Sequence, residues 1–318
     1  MTHIRIFLIS ALISLLVLSC SGSREEGKLI VFHAGSLSVP FSQIAAQFEE
    51  ENPGVEVSLE AAGSRRCARK ISELDRECDV MASADYEVID QLLIPEHAGW
   101  NIRFATNEMA LAFMRGNRKA RGLSGRNWYE ILQRDDVTFG RSDPDSDPCG
   151  YRTVLTLKLA EKYYGVDGLA MSLLEKDQEY IRSKETDLLG LLEAGALDFI
   201  FIYRSVARQH DLGIQLFPDE INLKTPDFAD YYSTVSVKIS GKKPGEFIER
   251  KGAPMVYGVT IPGNSPSPDL ALKFVEFLLD SEKGLKIMER NGQPPLVPSH
   301  TSTYDALPER LRKFAEKG

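Results

Sequence analysis

The amino-terminal part of the chain repeats one short pattern: an apolar strand, a turn of small residues, then a helix. Leu29-Ile30-Val31-Phe32 leads into Ala34-Gly35-Ser36, and the alternating stretch 55–60 leads into Ala62-Gly63-Ser64. The stretch 78–83 leads into Ala84-Asp85-Tyr86. Amphipathic helices are predicted over 41–51, stopped by Asn52-Pro53-Gly54, and from Ser64 to near Leu74. Successive strand–helix units require right-handed crossovers and a mostly parallel sheet. In such sheets ligands collect where the strands end. At both Gly-Ser turns the glycine lets a ligand approach the backbone, and the serine is expected to cap the helix and offer its hydroxyl. Free first-turn N–H groups and the helix dipole favour an anion there. A single turn of this kind usually only caps a helix. Two after successive strands point to an anion site.

The chain begins with one basic residue, Arg5, and an apolar run over 6–18 that ends in Ser19-Cys20. That run is short for a membrane span and has the length of a signal peptide's apolar region. Val17-Leu18-Ser19-Cys20 resembles a bacterial lipoprotein signal, in which the cysteine carries the lipid and becomes the new N-terminus. The alternative is an ordinary cleaved signal with an incidental cysteine. Residues 1–19 are therefore read as a signal peptide and 20–27 as a lipidated polar tether. The remainder, roughly 300 residues, suits two lobes rather than one. Formal charge is −8, and losing Arg5 makes it more negative, which argues against nucleic acid and against a polybasic membrane patch. Besides Cys20 the chain has Cys67, Cys78 and Cys149. Their spacing fits no zinc pattern, and the pairing of Cys67 with Cys78 is left open.

Farther along, 102–114 is extended and nearly continuously apolar at its end, and reads as a first crossing between lobes. The acidic loop from Ser142 to Asp147 follows a short strand-like run, and Asp147-Pro148 has the form of a helix cap with proline at the first helical position. Taken alone, Asp147 is a cap. Ser183-Lys184-Glu185-Thr186-Asp187 opens another helix, with Ser183 as its expected cap and Glu185 favourable near the dipole. Residues 198–205 form a buried strand ending in Tyr203, and 255–262 form a strand long enough to return to the first lobe. Lobe I is assigned to 28–104 and 255–318, and lobe II to 105–254.

Several enzyme classes drop out on residue type. Gly-x-Ser-x-Gly, a P-loop and a dinucleotide fingerprint are all absent. His33, at a strand end, reads as a structural, hydrogen-bonded histidine. One enzyme alternative stays open: a secreted hydrolase using Asp147 and Glu185 as paired carboxylates.

Five motifs occur together and in order: Val31-Phe32-His33-Ala34-Gly35-Ser36-Leu37, Glu60-Ala61-Ala62-Gly63-Ser64, Asp79-Val80-Met81-Ala82-Ser83-Ala84-Asp85-Tyr86, Asp147-Pro148-Cys149-Gly150-Tyr151-Arg152 and Phe201-Ile202-Tyr203-Arg204-Ser205-Val206-Ala207. With them the chain resembles the archaeal-type molybdate/tungstate-binding proteins of ABC importers, over nearly its whole length after the leader. The resemblance implies an α/β fold, a two-lobed type II periplasmic-binding-protein clamp whose lobes are mostly parallel sheets flanked by helices and joined by two crossing strands. It implies no enzyme activity and no resident cofactor. The cargo is molybdate or tungstate, and the partner is a membrane permease with its ATPase. It implies an extracytoplasmic, lipid-anchored monomer.

Carried over residue by residue, Gly35, Ser36 and Ser64 donate to the oxyanion from one lobe. Asp147, the backbone around Pro148 and Cys149, Glu185 and Tyr203 act from the other. Glu185 lies eighteen positions before Tyr203, and Asp187 is its fallback. In this family the two carboxylates ligate the metal centre, which becomes six-coordinate. Against oxo groups they would repel. Hard Mo(VI) or W(VI) accepts further oxygen ligands, whereas sulfur in sulfate does not, so the same acids reject sulfate. Cys149 then serves through its backbone rather than its thiol.

Overall fold

The structure, a computed structural model, describes residues 27–318 apart from 177 and 244. The leader, Cys20 and most of the proposed tether lie outside the described residues. Among the described residues, ten strands form two five-stranded sheets and the others form two small two-stranded ones. The first contains β1 (Gly27–Ala34), β2 (Val55–Ala62), β3 (Val80–Ser83), β4 (Ile102–Thr106) and β12 (Val256–Thr260), in the order β2-β1-β3-β12-β4. The second contains β5 (Met109–Phe113), β6 (Phe139–Ser142), β7 (Ile181–Arg182), β8 (Phe199–Tyr203) and β9 (Gly213–Leu216), in the order β7-β6-β8-β5-β9.

β1 alternates between two cores because successive side chains of a strand point to opposite faces. Leu29 and Val31 enter the large core. There helix α1 (Ser38–Glu51) packs Phe41 and Phe48 edge-on against Phe274. Phe32 enters a smaller core on the opposite face, with Cys67, Ile71 and Ile89 from helices α2 (Ser64–Ser72) and α3 (Tyr86–Leu92).

The sheets are mixed. β1 runs parallel to β2 and β3, but β12 is antiparallel to β3 and β4. β6 runs parallel to β7 and β8, but β5 is antiparallel to β8 and β9. Each sheet thus has one reversed strand, and each reversed strand is a crossing. The chain passes from β4 into β5 through only Asn107-Glu108, and β5 runs antiparallel to its neighbours in the second sheet. β12 repeats this on the return. Between them lies a hairpin that the sequence reading did not resolve, β10 (Ser236–Ser240) with β11 (Phe247–Lys251). Among the described residues no helix is long and apolar enough to cross a membrane.

Candidate functional site

The carboxyl ends of β1, β2, β6 and β8 face one another across the line where the sheets meet. Asp147 caps helix α4 (Pro148–Tyr164), with Pro148 in the first turn. Its Oδ1 accepts from the Cys149 N–H at 3.3 Å. Its Oδ2 accepts from the Glu185 N–H at 3.0 Å, which ties the two acidic segments together. Asp147 is therefore a cap with one oxygen and a cross-brace with the other. Gly150 is required beside it: a Cβ there would lie 2.5 Å from the carbonyl oxygen of Ser142.

Glu185 is fully buried, and neither carboxyl oxygen meets a hydrogen-bond donor of the protein. A buried carboxyl with two unpartnered oxygens costs free energy unless a ligand uses it. Its neighbour across the cleft is Gly35, where a Cβ would lie 2.9 Å from Glu185 Oε2. Asp187, the fallback, is exposed at the start of helix α5 (Asp187–Glu193), 3.3 Å from Lys184.

Burial raises the pKa of Asp147 from its ordinary value. Burial, and then the adjacent Asp147 charge, pushes Glu185 well above its own. These shifts belong to the arrangement with the lobes in contact. When the lobes part, water reaches the carboxyls and their pKa values return towards ordinary ones near 4. The contact form therefore binds more protons. Closure without cargo is most favourable below about pH 4 and is lost as pH rises through the elevated Glu185 value. Solution scattering across pH 4.5–8 should show the wild-type protein expanding as pH rises, and Glu185→Gln should flatten that profile. Superimposable profiles would contradict the burial argument.

The serines do not cap their helices as expected. Ser36 lies in a 3-10 turn, Gly35–Leu37, and makes no cap hydrogen bond. Its Oγ instead accepts from the Tyr257 hydroxyl at 3.0 Å, and its carbonyl accepts from Gln293 Nε2 at 2.8 Å. Ser64 is the first residue of α2 rather than its cap, and its Oγ accepts from the Ala84 N–H at 2.9 Å. Both hydroxyls accept from the protein, so each keeps its own proton to donate to something else. Ser183 is likewise not a cap: Thr186 occupies that position in α5, and Ser183 donates to Asp187 at 3.3 Å.

Tyr203 closes β8 and is fully buried; its hydroxyl accepts from Arg152 Nη1 at 3.0 Å. His33 is a structural histidine with Nδ1 2.8 Å from the Ala34 carbonyl, and burial lowers its pKa to about 4. Cys67 and Cys78 are buried free thiols, and burial pushes Cys67 up to about 12. The Cys149 thiol is buried and its pKa is also raised, first by burial and then by the Asp147 and Glu185 charges, so a thiolate ligand is disfavoured. No cluster of three or more metal-binding side chains occurs among the described residues.

The structure brings Gly35, Ser36, Ser64, Asp147, Pro148, Cys149, Glu185 and Tyr203 to the buried seam between the sheets. Sequence reasoning missed the supports around them: Tyr257, Asn107, Gln293 and Arg152. Asn107 Nδ2 holds the Tyr257 hydroxyl at 2.8 Å and Ser205 Oγ at 2.7 Å, so the first crossing itself braces the site. Arg152 carried a signal, a charged residue directly after Tyr151 in the buried first half of its helix, but nothing in the sequence says which lobe it reaches.

Two mixed sheets joined by reversed crossing strands, with buried polar groups at their facing ends, define a two-lobed solute-binding protein. The chain belongs to the bacterial extracellular solute-binding protein family, whose profile matches residues 29–293. An uncharacterized solute-binding protein of Petrotoga mobilis is 49% identical over 293 residues, covering 92% of this chain and 91% of that protein. The molybdate/tungstate-binding protein of Pyrococcus abyssi is 41% identical over 340 residues, covering 96% and 97%. Among solved structures, the Azotobacter vinelandii periplasmic molybdate-binding protein matches with a TM-score of 0.61 at 19% identity, covering 85% of this chain and 99% of that one. The Mycobacterium tuberculosis sulfate-binding protein matches with a TM-score of 0.62 at 13% identity, covering 86% and 88%. Those two likenesses speak for the fold alone. The relatives are solute-binding proteins and not enzymes, so the hydrolase alternative is set aside.

Proposed function

We propose that this protein captures molybdate or tungstate outside the cytoplasm and delivers it to an ABC permease driven by its ATPase. The observation that carries this reading is the Glu185 carboxyl, buried beside Asp147 with both oxygens unpartnered, in a site otherwise rich in donors. Ionised, that carboxyl repels the oxo groups of any dianion unless it binds the central atom, which hard, expandable Mo(VI) or W(VI) allows and sulfur does not. Gly35, Ser36, Ser64, Tyr203 and the backbone at Pro148 and Cys149 supply the oxo contacts. The relatives named for molybdate and tungstate support the same cargo. Titrating the purified protein with tungstate, molybdate, sulfate and phosphate tests it. Tight binding of the first two alone is expected, and preference for sulfate or phosphate overturns the reading.

The mature chain is held at the membrane by lipid on Cys20 and works as a monomer. Replacing Cys20 with Ser is expected to shift the protein from the membrane fraction to the soluble one, or to leave it unprocessed. Unchanged fractionation with cleavage elsewhere would refute the anchor.

A further inference from the structure

Arg152 is 3% exposed and stands one helical turn past Asp147 on α4, in the lobe built on the second sheet. Nη1 donates to the Tyr203 hydroxyl at 3.0 Å in its own lobe, and to the Ala84 carbonyl at 2.7 Å in the other. The Ala84 N–H in turn donates to Ser64 Oγ at 2.9 Å. One hydrogen-bond path therefore runs from Ser64 through Ala84 and Arg152 to Tyr203, joining candidate cargo contacts from both lobes. The other nitrogen, Nη2, lies 3.5 Å from Asp85 Oδ2. Asp85 is 1% exposed and also receives Arg250 Nη2 at 2.6 Å and the Tyr151 hydroxyl. Arg250 comes from β11 and reaches Glu87 as well. Arg152 and Tyr151 belong to the far lobe, so parting the lobes takes both away from that Asp85 oxygen.

Two consequences follow. A tyrosine hydroxyl that accepts from a guanidinium has its own proton directed elsewhere, so Arg152 turns Tyr203 into a donor facing the cleft. Buried ion pairs add little net stability, because dehydrating the charges is costly, but breaking one partner leaves the other uncompensated. Such a pair makes the joined arrangement specific rather than merely stable.

We propose that Arg152 is a positioning residue for anion capture: it aims the Tyr203 hydroxyl at the oxyanion while pinning the opposite lobe at Ala84 and Asp85, so that binding and closure occur as one event. The proposal rests on the oxyanion reading of the site. It separates two tasks, because Asp147 and Glu185 choose the ion whereas Arg152 and Asp85 hold the clamp shut over it.

The test uses Arg152→Gln, Arg152→Lys, Asp85→Asn and Tyr203→Phe. Asparagine still caps α3, which Asp85 Oδ1 does through the Glu87 N–H at 3.1 Å. Each is made also in a doubly labelled background, Leu74→Cys with Met171→Cys, two exposed sites in different lobes. Stopped-flow kinetics with tungstate and label-to-label distances with and without it are the readouts. Asp85→Asn and Arg152→Gln are expected to raise the off-rate about 10- to 100-fold with the tungstate-over-sulfate ratio unchanged, a coupling of ordinary size. Arg152→Lys should recover part of that loss. Tyr203→Phe should cost little more in the Arg152→Gln background, because the pair acts as a unit. Additive losses from Arg152 and Tyr203, or wild-type off-rates in both charge variants, overturn the proposal. A wild-type protein that binds no oxyanion defeats the cargo assignment instead. The distances without cargo then decide for Arg152: a shift to longer separations in Asp85→Asn supports it, and distributions identical to wild type overturn it.

Discussion

Asp147→Asn combined with Glu185→Gln is expected to weaken tungstate binding by several kcal/mol, on the order of a hundredfold to a ten-thousandfold at about 1.4 kcal/mol per factor of ten. The sign is the informative part. Were the carboxylates only neighbours of the dianion, neutralising them would remove repulsion and tighten binding of every oxyanion. If they ligate the metal centre, neutral amides of the same size bind it worse, and the advantage over sulfate shrinks too. The amides keep the carboxyls' size, but Asp147 accepts from two backbone N–H groups and Asn keeps one acceptor for them, so Glu185→Gln alone is measured beside the double variant. Calorimetry with tungstate, molybdate and sulfate gives the sign, and X-ray absorption counts the oxygen neighbours of bound tungsten. Tetrahedral tungsten in the wild type, or a double variant that binds more tightly, would defeat the ligation mechanism.

Gly63→Ala should disfavour closure while leaving the lobes folded. A Cβ on Gly63 would stand 2.3 Å from the Ser146 carbonyl oxygen and 2.8 Å from that of Ser183, both backbone atoms of the other lobe. Backbone cannot swing aside as a side-chain tip can, so the joined arrangement is penalised by about 1–3 kcal/mol, a loss of roughly fivefold to 150-fold in affinity. The open arrangement carries no such overlap. Gly63 has φ −57°, which alanine adopts freely, so stability without cargo should hold or rise by about 0.4–1 kcal/mol. Affinity and stability are thus expected to move in opposite directions. Gly99→Ala, with nothing within 4 Å, is the matched control. Scattering should show the Gly63 variant compacting only at tungstate concentrations higher than wild type needs, by the same factor as the affinity loss. Compaction equal to wild type would mean that the seam between Gly63 and the acidic loop is not a closure surface.

These two experiments probe different layers of the molecule, and the layers were unequally legible beforehand. The strand–turn–helix units were readable because burial imposes a period of two on strands and near 3.6 on helices, and Gly, Pro and Asp mark the breaks. The crossing near Asn107 was readable because an extended apolar run of that length exceeds what one sheet accommodates. The hairpin at 236–251 was not resolved, because it is polar and half-exposed and so leaves no clear alternation.

By itself, then, the sequence determined the α/β architecture, the placing of Gly-Ser turns and an acidic loop at strand ends, and the family through its five motifs. The tertiary structure decided what those residues do to one another. It turned Glu185 inward and Asp187 outward, although both precede or open the same helix, because only one can face Gly35 across the seam. It took the serines away from capping and gave Ser64 to Ala84 and Ser36 to Tyr257, a partner more than two hundred residues distant. It also placed Arg152 between Tyr203 and Asp85. Local pattern encodes which face of an element is buried, because burial repeats along the chain. Pairings across a cleft do not repeat, and they exist only once two lobes meet.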